Sequence, residues 1–269
     1  MFRDITIGQY IDGNSFIHKM DARVKILLSL FYIVILFLIS SPVAYGIVFG
    51  FTVFLVVLSR LPIKYILRGL KPMLYILIFT ALINLFMTRG GTVLWEAPFW
   101  SSLKITEKGI VTAVQMVVRL ALLVVVTSLL TLTTSPLMLT DGIEKILKPF
   151  SIIKIPAHEI AMMMTIAIRF IPTLSEETDK IIKAQTARGA DFESGNILKR
   201  AKAMIPLLVP LFISAFRRAD DLAVAMDSRC YHGGKNRTRM KQMRMTAKDA
   251  VASVVMVTVA IIIVAIHNI

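Results

Sequence analysis

A single cysteine, Cys230, excludes an internal disulfide and any metal site built from several thiolates. Acidic residues are scarce, with 17 Asp and Glu against 31 Lys and Arg and a net charge of +14. No acidic residue lies in the interior of an apolar run, so no intramembrane carboxylate relay can be built. A phosphate-binding loop is missing too. Gly233-Gly234-Lys235-Asn236 offers a Gly-Lys pair, but Arg229 stands where the first Gly belongs and Asn236 where Ser or Thr belongs. His18, His158, His232 and His267 are scattered, and His158-Glu159 lacks a second His four residues after the first. Each reads as structural or interfacial. No nucleophile–base pair can be assembled from spacing, so no catalytic residue, metal ligand or cofactor is expected. Energy comes from another subunit, or the protein is passive.

What is abundant is apolar sequence: 56% of 269 residues are hydrophobic, and mean hydropathy is +0.73. That exceeds the apolar share of a domain with a wet surface. A helix crossing ~30 Å of hydrocarbon needs roughly 20 mostly apolar residues. Val24–Ser40, Val43–Ser59, Met73–Thr88, Ile110–Leu132 and Ala247–Ile266 meet that length or approach it. The first run follows a charged stretch, Met1 to Lys25, so it reads as a retained span and not a signal peptide. The class is all-α: a polytopic membrane protein of about five spans, with a long, basic cytoplasmic section between the last two.

Lys and Arg orient the bundle. Arg3, Lys19, Arg23 and Lys25 precede the first span, and Arg60, Lys64, Arg68 and Lys71 follow the second. The first loop and the C-terminal tail have none, and the third loop (Arg89 to Gly109) is mixed. The N-terminus is therefore expected on the cytoplasmic side. The stretch from about Thr133 to Thr246 falls on that side as well, with 18 Lys/Arg against 11 Asp/Glu. Residues 1–133 thus read as an N-terminal segment with four spans, 134–246 as cytoplasmic or interfacial helices, and 247–269 as the last span. Lys235, Arg237, Arg239, Lys241 and Arg244 read as snorkelling anchors on anionic lipid, without the aromatic platform that nucleic acid would need.

Polar residues inside the runs are few: Asn84, Gln115 and Arg119. An intramembrane Arg costs about 2.5–3.5 kcal/mol on insertion scales, so Arg119 should face protein or water. A hydrogen bond to a carbonyl or to Asn84 accounts for it. A place in a substrate path is the alternative.

The section between the last spans reads as helical and punctuated by proline. Ala157–Phe170 is apolar and Met-rich, and Pro172 should break or kink it. Thr173-x-x-Glu176 resembles a capping box opening a new helix, which runs to Ala187-Arg188 with Gly189 as its left-handed terminator. Ile197–Phe216 should be interrupted at Pro206 and Pro210 before Arg217–Tyr231. Met162, Met163 and Met164 are either core or an adaptable surface for a partner. Two helix ends match at an offset of 41 residues: Ala184-x-x-Ala187-Arg188-Gly189 and Ala225-x-x-Ser228-Arg229-Cys230. Small residues three apart share one helix face and permit close approach of a partner backbone. The Arg that follows is favoured at a helix C-terminus, and its planar fork suits carboxylates or carbonyls. Two such ends suggest docking into two similar grooves.

These residues carry a resemblance. Gly8-x-Tyr10, Ser15-x-x-His18-x-x-Asp21-x-Arg23-x-Lys25, Thr134-Ser135-Pro136, Arg169-Phe170-Ile171-Pro172, Glu177, Ala184-Gln185-x-Ala187-Arg188-Gly189 and Ala225-Met226-x-Ser228-Arg229-Cys230-Tyr231 span nearly the whole chain. The chain resembles the transmembrane coupling (T) component of energy-coupling factor (ECF) transporters. The resemblance implies two cytoplasmic ATP-binding-cassette ATPases, one engaging Arg188 and the other Arg229. It also implies a separate membrane protein, the S component, which captures a vitamin or similar micronutrient. That S component would pack on a platform to which Met162, Met163, Met164, Pro206 and Pro210 contribute. The family pattern is Ala-Arg-Gly or Ala-Arg-Ser, and Ser228-Arg229-Cys230 departs from it. Cys in place of Gly makes a left-handed ending less comfortable. The runner-up is a permease lining its own substrate path, and a membrane enzyme or standalone channel comes third.

Overall fold

The computed structural model describes residues 10–88, 90, 92–96, 104–153, 156–192, 196–234 and 243–267. Arg3, Gly8, Arg89, Lys235, Arg237, Arg239 and Lys241 lie outside the described residues. The chain forms two compact units, one of residues 8–142 with 243–269 and the other built on 143–242.

In the first unit, α1 (Ala22–Leu38) and α2 (Pro42–Ser59) are joined by the short Ser-Ser-Pro connection. Pro42 opens α2 at a position where its missing N–H has no helical partner to lose. Next come α3 (Ile63–Leu70), a 3₁₀ turn over Lys71–Met73 and α4 (Leu74–Met87). Helix therefore starts ten residues before Met73, and Arg68 and Lys71 lie in helical turns and not in a loop. The reason is the apolar set Ile63, Ile66, Leu67 and Leu70, which repeats at helical spacing. The third loop contains an antiparallel ribbon of β1 (Val93–Glu96) and β2 (Lys104–Thr106), too short for sequence periodicity to reveal. It leads into α5 (Glu107–Thr133), whose N-cap Thr106 accepts from the Gly109 N–H. The unit closes with α9 (Ala247–His267).

Among the described residues, four helical segments are long and apolar enough to cross a membrane: Pro42–Ser59, Ile63–Met87, Glu107–Thr133 and Ala247–Ile266. With 17 residues α1 rises about 26 Å, at the short end of the spanning range. The buried core runs through Tyr32, Leu36 and Ile39 of α1, Tyr45 and Val48 of α2, Leu122 and Val126 of α5, and Met256 and Ile263 of α9. First and last helices thus share one core. Outward, Phe37, Phe49, Val57, Tyr75 and Phe79 are exposed, as expected where hydrocarbon is the solvent.

One polar cluster fastens the ends of these helices. Asp21 caps α1, accepting from the Arg23 N–H at 2.9 Å and from its Nη2 at 2.7 Å. The Asp21 N–H donates to Asp249 Oδ1 at 2.8 Å, and Asp249 Oδ2 accepts from Thr246 at the start of α9. Bonds from Arg23 hold the Asp21 carboxyl below the usual carboxylate range. Lys25, almost fully buried, donates to the Thr133 carbonyl at 2.9 Å, Thr134 Oγ1 at 3.3 Å and the His18 carbonyl at 3.4 Å. His18 is braced by Ser15 Oγ at 2.6 Å and the Ile11 carbonyl at 3.1 Å. Ser15, His18, Asp21, Arg23 and Lys25 are therefore architectural: their cluster joins α1, α5 and α9. No buried side-chain N or O among the described residues lacks a partner.

Gly142 on α6 (Pro136–Leu147) is the close point between α6 and α1. A Cβ there would sit 3.1 Å from Ile26 Cδ1 and 3.3 Å from Ala22 Cβ. Gly142→Leu is expected to cost about 1–3 kcal/mol by overpacking. A thermal-unfolding midpoint equal to that of the unchanged chain would refute it.

After α6, a 3₁₀ stretch over Lys148–Ile153 leads to α7 (Ala157–Ala187) and then α8 (Ile197–Asp227), each 31 residues long. Here the structure corrects the proline reading. Pro172 lies inside α7, and Pro206 and Pro210 lie inside α8, without ending either helix. Each Pro forfeits one backbone bond and costs about 3 kcal/mol, but propagation on both sides outweighs that local loss. Thr173 does not cap a new helix. Its Oγ1 donates back to the Phe170 carbonyl at 2.8 Å within the same helix.

Candidate functional site

The two long helices end in the same way, bond for bond. At the end of α7, the Gly189 N–H donates to the Thr186 carbonyl at 2.9 Å and the Ala190 N–H to the Gln185 carbonyl at 3.0 Å. At the end of α8, the Cys230 N–H donates to the Asp227 carbonyl at 2.8 Å and the Tyr231 N–H to the Met226 carbonyl at 3.0 Å. The pair of 5→2 and 6→1 bonds defines a Schellman ending, and in both cases the residue before the left-handed one is an Arg. The offset of 41 residues seen in the sequence thus holds for the backbone. Gly189 takes φ 87 and Cys230 φ 54. Cys230 adopts the left-handed turn despite its Cβ, a conformation that costs roughly 1–2 kcal/mol for a residue other than Gly.

Arg188 and Arg229 are exposed at these turns, together with Ala184, Ala187, Gly189, Ser228 and Cys230, while Ala225 is half-buried. Each end therefore presents a guanidinium beside small residues at the negative end of a helix dipole. Chemically, such an end can enter a groove and offer a forked donor to carboxylates or backbone carbonyls.

The helices are held to each other by Arg218 Nη2, which donates to Glu177 Oε2 at 2.8 Å. A hydrogen bond from Ser214, then the charge of Arg218, keeps Glu177 below the usual carboxylate range. These two residues are themselves 41 apart, so equivalent positions of the two helices meet. The end of α8 lies beside the start of α7, where Tyr231 Oη bonds His158 Nε2 at 3.3 Å. The helices consequently run in opposed directions and their Arg ends point opposite ways. Each Arg lies eleven residues past the ion pair, about 16 Å along its helix.

The methionines divide. Met163 is 58% exposed, whereas Met162 and Met164 are half-buried, and Pro206 is more exposed than Pro210. Sequence reasoning overlooked a broader apolar stripe on α8: Ile205, Leu208, Val209, Phe212, Ile213 and Phe216 are all exposed. The signal was present in their spacing, which follows one helix face, but the two prolines concealed its continuity. Beside the second Arg end a cavity of about 430 Å³ is lined by Met162, Leu222, Met226, Arg229 and Tyr231, among others.

Within the membrane unit the polar residues are committed to architecture. Arg119 Nη2 donates to the Ile39 carbonyl at 2.8 Å and its Nε to Tyr45 Oη at 2.7 Å, with Phe37 and Tyr45 rings flanking the guanidinium. The carbonyl expected for Arg119 is thus found, and Asn84 is not its partner. Gln115 Nε2 donates to the Ser40 carbonyl, and Asn84 Nδ2 to Thr80 of its own helix, both at 2.9 Å. A cavity of about 260 Å³ in this unit is lined mainly by apolar side chains such as Tyr32, Phe51, Leu55, Val126 and Met256. No group of three His, Cys, Asp or Glu that could hold a metal occurs among the described residues.

Comparison with known proteins adds the family context. The profile of the CbiQ family, described as "Cobalt transport protein", matches residues 13–240. The chain is similar to the "Energy-coupling factor transporter transmembrane protein EcfT" of Ruminiclostridium cellulolyticum, 55% identical over 253 residues, covering 94% of this chain and 93% of that one. It is 54% identical over 262 residues to the protein so named in Acidaminococcus fermentans, covering 97% and 96%. The Bacillus subtilis counterpart is 43% identical over 260 residues, covering 97% of both.

Proposed function

Because this chain belongs to the CbiQ family, as a transmembrane (T) component of energy-coupling factor transporters, we propose that its two Arg-tipped helix ends couple two ATP-binding-cassette ATPases to a substrate-binding S component. Arg188 engages one ATPase and Arg229 the other, and the S component carries a vitamin or similar micronutrient inward. The carrying observation is the pair of Schellman endings with the same bonds, the same left-handed turn and Arg in the same place. Two equivalent tips fit two related partners better than one. The basic N-terminal segment supports placing the N-terminus and residues 134–246 on the cytoplasmic side, where ATP is available.

The exposed stripe Ile205, Leu208, Phe212 and Phe216 on α8, with Met163 on α7, supports an apolar platform for the S component. A permease with its own path is disfavoured by the commitment of Arg119, Gln115 and Asn84 to backbone carbonyls. The chain itself performs no catalysis on this reading. Tagged chain purified in mild detergent from its own cells is expected to retain two ATPases and a small membrane protein. Purified alone, it should neither hydrolyse ATP nor bind a vitamin. Tight vitamin binding by the isolated chain would instead establish the permease.

A further inference from the structure

The two tips differ in the residue that takes the left-handed turn. Gly189 does so without a Cβ, whereas Cys230 adopts φ 54 with one. A non-glycine residue stays in that region only where its surroundings over-determine it. The residue next to Cys230 supplies such a constraint. Tyr231 Oη lies 3.3 Å from His158 Nε2, and His158 Nδ1 lies 3.2 Å from Glu144 Oε1, both within hydrogen-bond distance. The tautomer with Nδ1 protonated and Nε2 accepting serves both bonds. Gly234 packs against the same ring so closely that a Cβ there would collide with its Cγ and Cδ2. Glu144 belongs to α6 and His158 to the first turn of α7, so the end of α8 is tied to two other helices.

We propose that His158, oriented by Glu144, is a positioning residue for the Arg229 tip. It holds Tyr231, and through Tyr231 the strained Cys230 turn, in the conformation that presents Arg229. The importance of that tip rests on the proposed coupling to ATPases, but the clamp is a property of this chain alone. His158 acts on the tip through Tyr231 and through Gly234, which packs on its ring. The Gly189 turn carries no Cβ penalty, so the Arg188 tip does not depend on His158.

Cys230 is the sole cysteine, so a nitroxide can be attached there in the full chain in nanodiscs without engineering. In the otherwise unchanged chain the label should give a restrained spectrum. Tyr231→Phe, which removes one oxygen, and His158→Ala should each raise the mobile fraction at least twofold with little change in the unfolding midpoint. His158→Gln keeps an acceptor for Tyr231 and should recover part of the restraint. Combining Tyr231→Phe with His158→Ala should add nothing to His158→Ala alone. A label already mobile in the unchanged chain, or mobility untouched by Tyr231→Phe, would overturn the clamp. Co-purification of ATPases is a separate measurement. Its failure alongside a restrained tip would remove the coupling reading and leave the clamp standing.

Discussion

Charge reversal at both tips, Arg188→Glu with Arg229→Glu, will abolish uptake by the assembled transporter while leaving the chain in the membrane. Both side chains are exposed at helix ends, and exposed substitutions away from buried features usually stay within about 0.5 kcal/mol. The unit's own contacts, including the Glu177–Arg218 pair, are untouched. In a groove the situation is different. Removing one member of a buried hydrogen-bonded charge pair costs about 2–5 kcal/mol. At 1.4 kcal/mol per decade, that is roughly 30-fold to several thousand-fold in affinity for each tip. A carboxylate facing the former acceptor adds repulsion to the loss. Uptake into proteoliposomes and the ATPase content of the purified complex measure the outcome. Each single reversal should cost one ATPase, and the double should cost both. Normal uptake with a full complement of ATPases in the double variant rejects the proposal.

Lys25→Met will lower stability without removing a coupling contact. Lys25 Nζ satisfies the Thr133 carbonyl and bonds Thr134 Oγ1 and the His18 carbonyl, while Asp21 and Asp249 sit in the same cluster. Methionine keeps most of the volume and supplies no donor. Each buried acceptor left without a partner costs about 1–3 kcal/mol. The cluster joins α1, α5 and α9, so the loss should appear as a lower midpoint for the whole membrane unit. The fraction of variant that remains folded should still bring down the ATPases. A normal midpoint combined with lost ATPases would contradict the architectural role assigned to this cluster.

These two experiments separate the residues of the family resemblance by cause. Ser15, His18, Asp21, Arg23 and Lys25 make mutual bonds within one unit, whereas Arg188 and Arg229 face outward. A string of motif letters contains no sign of that division, because both sets are polar and regularly spaced.

Much of the fold was legible along the chain. Apolar runs of spanning length announced the membrane helices, since hydrocarbon leaves a backbone no partner but its own carbonyls. Gly189 was readable as a left-handed terminator, and the offset of 41 residues between Arg188 and Arg229 was visible in the letters alone. The prolines misled. Pro172, Pro206 and Pro210 look like boundaries when local geometry is considered alone, yet α7 and α8 run through all three. Helix on both sides of a missing bond is cooperative, and that energy is spread over many residues instead of residing at the proline.

By itself, the order of residues determined the class, the membrane setting and the two Arg-tipped ends, because each rests on local composition or spacing. Tertiary structure alone decided what closes the bundle, what satisfies Arg119 and Lys25, and that Tyr231, His158 and Glu144 meet beside Cys230. Those outcomes join residues 70 or more positions apart, or from separate helices, and no periodicity within one segment encodes a partner on another. The bonds exist only once packing has removed water from the groups that make them.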